Sequence, residues 1–167
     1  LSATYLDILK DRLYTGRANG DKRRGSQTVL WHMLNVLSGL MAPIASFLAE
    51  ETYEHIPGDK AESILCTSFP EARTEWSRPD LAKKFETLLA VRSVVSKELE
   101  DLRRAKTIGA GLDAHVTVTA DGEMFKVLED YLPNLREFLI VSQVTLEKGP
   151  GPKASARKAD GLKCERC

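Results

Sequence analysis

The chain has 167 residues, 43% hydrophobic and 29% charged, so it can bury a core and is not a disordered polyelectrolyte. Its 24 Lys and Arg balance 24 Asp and Glu, so net charge points to no partner, and no apolar run or signal-peptide pattern suits a membrane-spanning helix or a secretory leader. Three cysteines, two of them in the last four positions, make no disulfide framework and fit a reducing, cytoplasmic compartment.

Residues 2–15 read as a helix, with Tyr5, Ile8, Leu9 and Leu13 at helical spacing, ended by Gly16 and the Asn19–Gly20 pair. A second helix is expected over 26–41, with a broad apolar face from Val29 to Leu40. After Pro43 a third runs to about His55, and Pro57–Gly58 closes it. Residues 57–79 read as irregular, with an extended piece at Ile64–Leu65. The strongest periodicity lies in 80–106, where Leu81, Phe85, Leu88, Val95, Leu99 and Leu102 make the stripe of a long amphipathic helix. The period then changes. Leu112, Ala114, Val116 and Val118 alternate with Asp113, His115, Thr117 and Thr119, as in a half-buried strand. A short helix carrying Met124, Val127, Leu128 and Tyr131 follows Asp121–Gly122, with room for a few more helical residues after Pro133. Phe138 to Leu146 reads as a second strand, and 148–161, rich in Gly, Pro, Lys, Ala and Ser, as a mobile linker. The expected fold is therefore mainly α: a helical bundle over 1–106, a small α+β subdomain over 107–147, and a flexible tail over 148–167. The first residue is Leu1 rather than Met and the pattern is already helical there, so an N-terminal part with further bundle helices is expected to precede it.

Charge is unevenly spread. Residues 1–30 hold six basic against three acidic side chains, residues 148–167 six against two, and residues 50–62 one against five. Basic ends suit a polyanion, although solvated helix faces look alike. Lys10, Arg12, Arg17, Lys22, Arg23 and Arg24 line a helix end and the loop into the next helix, where donors and a helix N-terminus suit phosphate. Tyr14 could stack on an unpaired base. Glu50, Glu51 and Glu54 read as a solvated face, and His32 as a packed or capping histidine. No Gly-x-Ser-x-Gly, phosphate-binding loop or dinucleotide fingerprint occurs, and Gly109-Ala110-Gly111 reads as a helix-to-strand turn. The terminal Cys164-Glu165-Arg166-Cys167 has the spacing with which two thiolates hold one Zn²⁺, half of a four-ligand site. Cys66, in the apolar run Ile64-Leu65-Cys66, is expected to be a buried, inert thiol.

Several stretches together resemble one family, the bacterial isoleucyl-tRNA synthetases of class I. Tyr5-Leu6-Asp7-Ile8-Leu9-Lys10-Asp11-Arg12-Leu13-Tyr14 is similar to that family's Tyr-x-Asp-x-x-Lys-Asp-Arg-x-Tyr helix. Arg23-Arg24-Gly25-Ser26-Gln27-Thr28 resembles its Arg-Arg-Ser-x-Gln-Thr segment. Met41-Ala42-Pro43-Ile44-Ala45-Ser46-Phe47 resembles a bundle motif shared with the valyl and leucyl enzymes, and the stretch from Val91-Arg92 to Leu112-Asp113-Ala114 the next helix and turn. The closing cysteines resemble the first pair of the family's C-terminal zinc element. Two positions depart: Gly25 stands where the family has Ser, so that a hydroxyl contact is either lost or shifted to Ser26, and Tyr53 where it has Trp.

The resemblance implies an anticodon-binding, C-terminal part of an enzyme that joins isoleucine to its tRNA using ATP bound elsewhere, with no catalytic centre in these residues. It implies contacts to the anticodon stem-loop of tRNA(Ile) from Lys10, Arg12, Tyr14, Arg17, Arg23, Arg24, Gln27 and Arg92, and zinc at Cys164 and Cys167. The whole enzyme would be a monomer, while this piece would self-associate through an exposed bundle face. Two other readings stay open: the same region of a valyl or leucyl enzyme, and a non-enzymatic helical module that binds protein.

Overall fold

The computed structural model describes residues 2–161. The chain divides into two compact units, one up to Ser77 and one from Arg78. The first is all helical: a π-turn at Ser2–Leu6, α1 (Asp7–Tyr14), α2 (Asp21–Met41) and α3 (Ser46–Glu54), then single 3₁₀ turns at Ile64–Cys66 and Thr74–Trp76. The second contains α4 (Pro79–Arg104), β1 (Ala114–Ala120), α5 (Gly122–Leu139), β2 (Gln143–Lys148) and β3 (Lys153–Lys158). By compactness the long helix α4 groups with the sheet.

In the first unit α2 starts five residues before the expected Ser26, because a single exposed Gly25 does not stop a helix its neighbours favour. Helix α1 packs on α2 through Leu9. A second small core joins Ala42, Ala49, Tyr53, Ile56 and Ile64, with Met41 against it. Tyr53 thus fills a core position. Most of α2's large apolar side chains stay outside: Val29, Leu34, Val36, Leu37 and Leu40 are 39–44% exposed, while Ser26, Ser38 and Gly39 are its buried positions. Gly39 is needed where Pro70 crosses, since a Cβ there would lie 2.7 Å from the proline ring.

Polar contacts hold the 57–66 segment. The Glu50 carboxylate accepts from Ser63 Oγ at 2.7 Å and Ile64 N at 3.1 Å, so it is a latch rather than a solvated charge. Lys60 Nζ donates to the carbonyls of Tyr53 (2.5 Å), Glu54 (2.7 Å) and Ile56 (2.8 Å), capping the end of α3. The 3₁₀ turn at Ile64–Cys66 replaces the expected extended piece. It sends Ile64 inward and leaves Cys66 exposed, which corrects the expectation of a buried thiol.

The second unit is two-layered. Its sheet has the order β2-β1-β3, β1 running parallel to β2 and antiparallel to β3. Ala114, Val116, Val118 and Ala120 face the helices and are fully buried, while His115, Thr117 and Thr119 point the other way. Helix α4 lies over β3 and β1 and contributes Leu88, Val91, Val95 and Leu99. Helix α5 lies over β2 and β1 and contributes Leu128, Leu135, Phe138 and Leu139. Phe85, Tyr131 and Phe138 meet edge to face at 5.9–6.1 Å.

Three expectations fail here. Helix α5 runs through Pro133 to Leu139, so Phe138 and Leu139 are helical and β2 begins only at Gln143. Leu112 lies in a 3₁₀ turn (Gly111–Asp113) and is exposed. The supposed linker contains β3. The Gly-Pro-Gly-Pro connection before β3 is rich in glycine because it crosses the end of β1: a Cβ on Gly151 would collide with the Thr119 carbonyl oxygen, and one on Gly149 would lie 2.8 Å from the Thr119 methyl.

The two kinds of glycine give opposite expectations. At Gly25 a Cβ meets nothing within 4 Å, so Gly25→Ala should stabilise the helical unit by about 0.5–1 kcal/mol through helix propensity. Gly151→Ala should cost about 1–3 kcal/mol through forced overpacking. Urea unfolding followed by circular dichroism measures both, and equal effects would contradict this account.

Candidate nucleic-acid interface

The basic residues of the first thirty positions gather around the reversal between α1 and α2. Thr15 ends α1, its hydroxyl donating to the Asp11 carbonyl at 2.7 Å and to the Asp11 carboxylate at 2.8 Å. Gly20 opens α2 with an extended backbone and offers no side-chain acceptor to the first-turn amides. Arg23 and Arg24 therefore stand on the first turn of a helix, not on the loop expected from sequence.

Helical phase separates these residues. Lys10, Tyr14, Arg17, Arg24 and Gln27 are exposed, Tyr14 to 82%. Lys10 donates to Asp7 at 2.8 Å, a hydrogen bond that raises the lysine pKa above its usual value. Arg12 is half-buried beside Tyr5; burial raises the Tyr5 phenol and the Arg12 charge partly opposes it. Arg23 turns inward, its Nη1 donating to the Gly16 carbonyl at 3.2 Å, with Nε buried and unpaired. Arg24 points out, and its Nη1 lies 3.4 Å from Gln27 Oε1. Ser26 does not take over the hydroxyl role of the family serine: it is buried and donates to the Lys22 carbonyl at 2.8 Å.

One turn beyond Gln27 stands Trp31. Its indole Nε1 donates to the Pro57 carbonyl at 3.0 Å. His32 is the packed histidine expected, set edgewise between Trp31 (4.9 Å) and Trp76 (5.0 Å), and the Arg73 guanidinium lies 4.7 Å from the Trp76 ring centre. Sequence reasoning saw Trp31 only as a neighbour of His32 and gave Trp76 and Arg73 no role. The one available hint was composition: both tryptophans of the chain meet here.

Arg92 belongs to the other unit. Its Nη1 donates to the Phe138 carbonyl in the last turn of α5, and its guanidinium lies 5.7 Å from the Phe138 ring centre, so it ties α4 to α5. The Gly109 and Ala110 amides are taken by Asp113 Oδ2 at 3.1 and 2.9 Å, which closes that turn and leaves no phosphate cradle.

Cys164 and Cys167 lie outside the described residues, and among those residues no group of three His, Cys, Asp or Glu is placed to hold a metal. The chain leading toward them is pinned to the sheet. Asp160 N donates to Gln143 Oε1 at 3.2 Å, and Arg157 grips the Asp160 carboxylate at 2.8 and 2.9 Å, holding its pKa below the ordinary value. Arg157 also donates to His115 Nδ1 at 2.9 Å. An arginine can only donate, so Nδ1 accepts and the Nε2–H of His115 goes to Thr145 Oγ1 at 2.8 Å. No described helix is long and apolar enough to cross a membrane.

Residues 1–118 match the family model described as the anticodon-binding domain of tRNA ligase. The isoleucine–tRNA ligase of Natranaerobius thermophilus is 35% identical over 184 residues, covering 100% of this chain and 20% of the relative. That of Geobacter sulfurreducens is 40% identical over 178 residues (100% and 19%), and that of Desulfitobacterium hafniense 42% over 182 (100% and 20%). The chain thus spans about a fifth of the length of these relatives. With a family match that takes in α1 to α4 and reaches into β1, the chain belongs to the anticodon-binding domains of tRNA ligases.

Proposed function

We propose that this chain is the anticodon-recognising part of an isoleucine–tRNA ligase, and that it holds the anticodon stem-loop of tRNA(Ile) against the α1–α2 reversal. The observation that carries the reading is that Lys10, Tyr14, Arg17, Arg24 and Gln27, on the two helices and in the loop between them, are all exposed. Cationic and amide donors suit phosphates and base edges, and a phenol ring exposed to 82% suits an unpaired base. Arg12 and Arg23 support this surface, whereas Arg92 braces the sheet unit. The contribution is binding and orientation; ligation of isoleucine with ATP falls to other parts of such an enzyme, working in the cytoplasm. Cys164 and Cys167 fit Zn²⁺ as a thiolate pair and would supply two of its four ligands.

The test is the affinity of the chain for a tRNA(Ile) anticodon stem-loop, against one with a changed anticodon, over a salt series. Base reading adds about 1–3 kcal/mol of discrimination per contact, whereas phosphate contacts alone weaken with salt and ignore the anticodon. Arg24→Ala should weaken binding and leave the unfolding transition in place. Arg23→Ala should instead lower stability by about 1–3 kcal/mol, since it removes the Gly16 contact. Equal affinity for both loops, unaffected by Arg24→Ala, would refute the reading.

A second association is favoured by the apolar surface of the helical unit, where Ile44 is 90% and Phe47 94% exposed beside the half-open stripe of α2. Such a patch drives contact between copies. Sedimentation should show concentration-dependent self-association of the chain, reduced by Phe47→Glu; a monomer up to high concentration would contradict it.

A further inference from the structure

We propose that Trp76, backed by Arg73 and His32 and continued by Trp31, is a stacking platform for one unpaired nucleobase of the bound RNA. The proposal rests on the RNA-binding reading above and extends its surface along α2. Arg24, Gln27 and Trp31 follow one another at spacings of three and four residues and so share one side of the helix. From Arg24 to Trp31 the helix rises about 10 Å, room for roughly three stacked nucleotides at ~3.4 Å each. A strand whose phosphate meets Arg24 therefore brings a base to the tryptophans.

The rings are built to receive it. Trp31 is fixed by its hydrogen bond to the Pro57 carbonyl, and that loop is itself fastened by Lys60 through the Ile56 carbonyl. His32 meets both indoles at steep angles, 77° to Trp31 and 67° to Trp76, so it holds them without covering them in a parallel stack. Arg73 sets its guanidinium over one face of Trp76, 4.7 Å from the ring centre, so a base would stack on the face that Arg73 does not cover. Trp76 is nonetheless 53% exposed and Trp31 40% exposed. A tryptophan whose task was to fill a core would bury most of its large ring. A fixed, exposed aromatic ring beside a guanidinium is what sequence-tolerant stacking of single-stranded bases uses, and each such stack is worth about 1–3 kcal/mol.

Trp31 and Trp76 are the chain's two tryptophans, so emission excited selectively in the indole band, away from its tyrosines, reports on this cluster. The full chain is titrated with the anticodon stem-loop RNA and with a hairpin of equal length whose bases are paired as far as closure allows. The stem-loop should quench the emission. The quenching should persist in Trp31→Phe and the paired hairpin should give little of it. Trp76→Ala should weaken stem-loop binding by about 5- to 150-fold, the equivalent of one lost stack, while Trp76→Phe, which keeps a ring, should stay within about threefold; circular dichroism checks that both variants are folded. Binding with unchanged emission, or weakened binding in Trp76→Ala without any quenching of the parent chain, overturns the platform and leaves the RNA-binding reading standing. No binding of either RNA by the folded chain overturns both.

Discussion

Helix α2 begins at Asp21, and from there its 100° step per residue decides what each following side chain can do. Arg23 falls inward and is used on the Gly16 carbonyl; Arg24, its neighbour, falls outward and stays available. Ser26 falls inward and serves the helix; Gln27 falls outward. Two adjacent arginines that look equivalent as letters thus have different tasks, one shaping the reversal after α1 and one facing solvent. A start at Ser26 would have left both in a loop with no defined phase.

The sheet unit depends on β1. As the central strand, with its inner side chains fully buried, it fixes the register of β2 on one side and β3 on the other. Both helices cover the same face, so the opposite face is left to polar rows: Gln143, His115 and Arg157 in one, Thr145, Thr117 and Ser155 in the next. The first row is where Asp160 is fastened. The path toward the closing cysteines therefore leaves the sheet from a defined place, although the residues just before it have the composition of a linker.

Much of this was legible in the sequence. Period-3.6 stripes located α1 and α4, the prolines on either side located α3, and strict alternation located β1, because in those segments one local cue had no competitor. The failures share a cause, in that tertiary contacts overrode a local cue. Pro133 did not end α5 because it and Glu129, the residue whose carbonyl it leaves unpaired, both face solvent, while Leu128, Leu135, Phe138 and Leu139 continue the buried stripe. The Gly-Pro run before β3 looked mobile, yet its glycines are demanded by the close pass over Thr119. Cys66 looked buried from its neighbours, but a single 3₁₀ turn admits only Ile64 to the core. At the candidate interface the letters identified the basic set and could not tell Arg23 from Arg24. They could not bring Trp76 to His32 at all, since that contact is made by the fold.

The helical unit also links stability to its surface. Its buried cluster is small and rich in alanine, and its larger aliphatic side chains on α2 remain well exposed. Packing alone therefore holds the 57–76 segment weakly, and much of the restraint comes from polar contacts: Glu50 to Ser63, Lys60 to three carbonyls, and Trp31 to Pro57. Each exchanges water for a protein partner and is worth about 0.5–1.5 kcal/mol net, somewhat more where a charge takes part. The segment so held is the one that carries Arg73 and Trp76. Any ligand that binds the ordered rings stabilises these latches by mass action, and any loss of a latch weakens the ligand by the same linkage. Rigidity at the tryptophans and stability of the helical unit are thus two readings of one set of contacts.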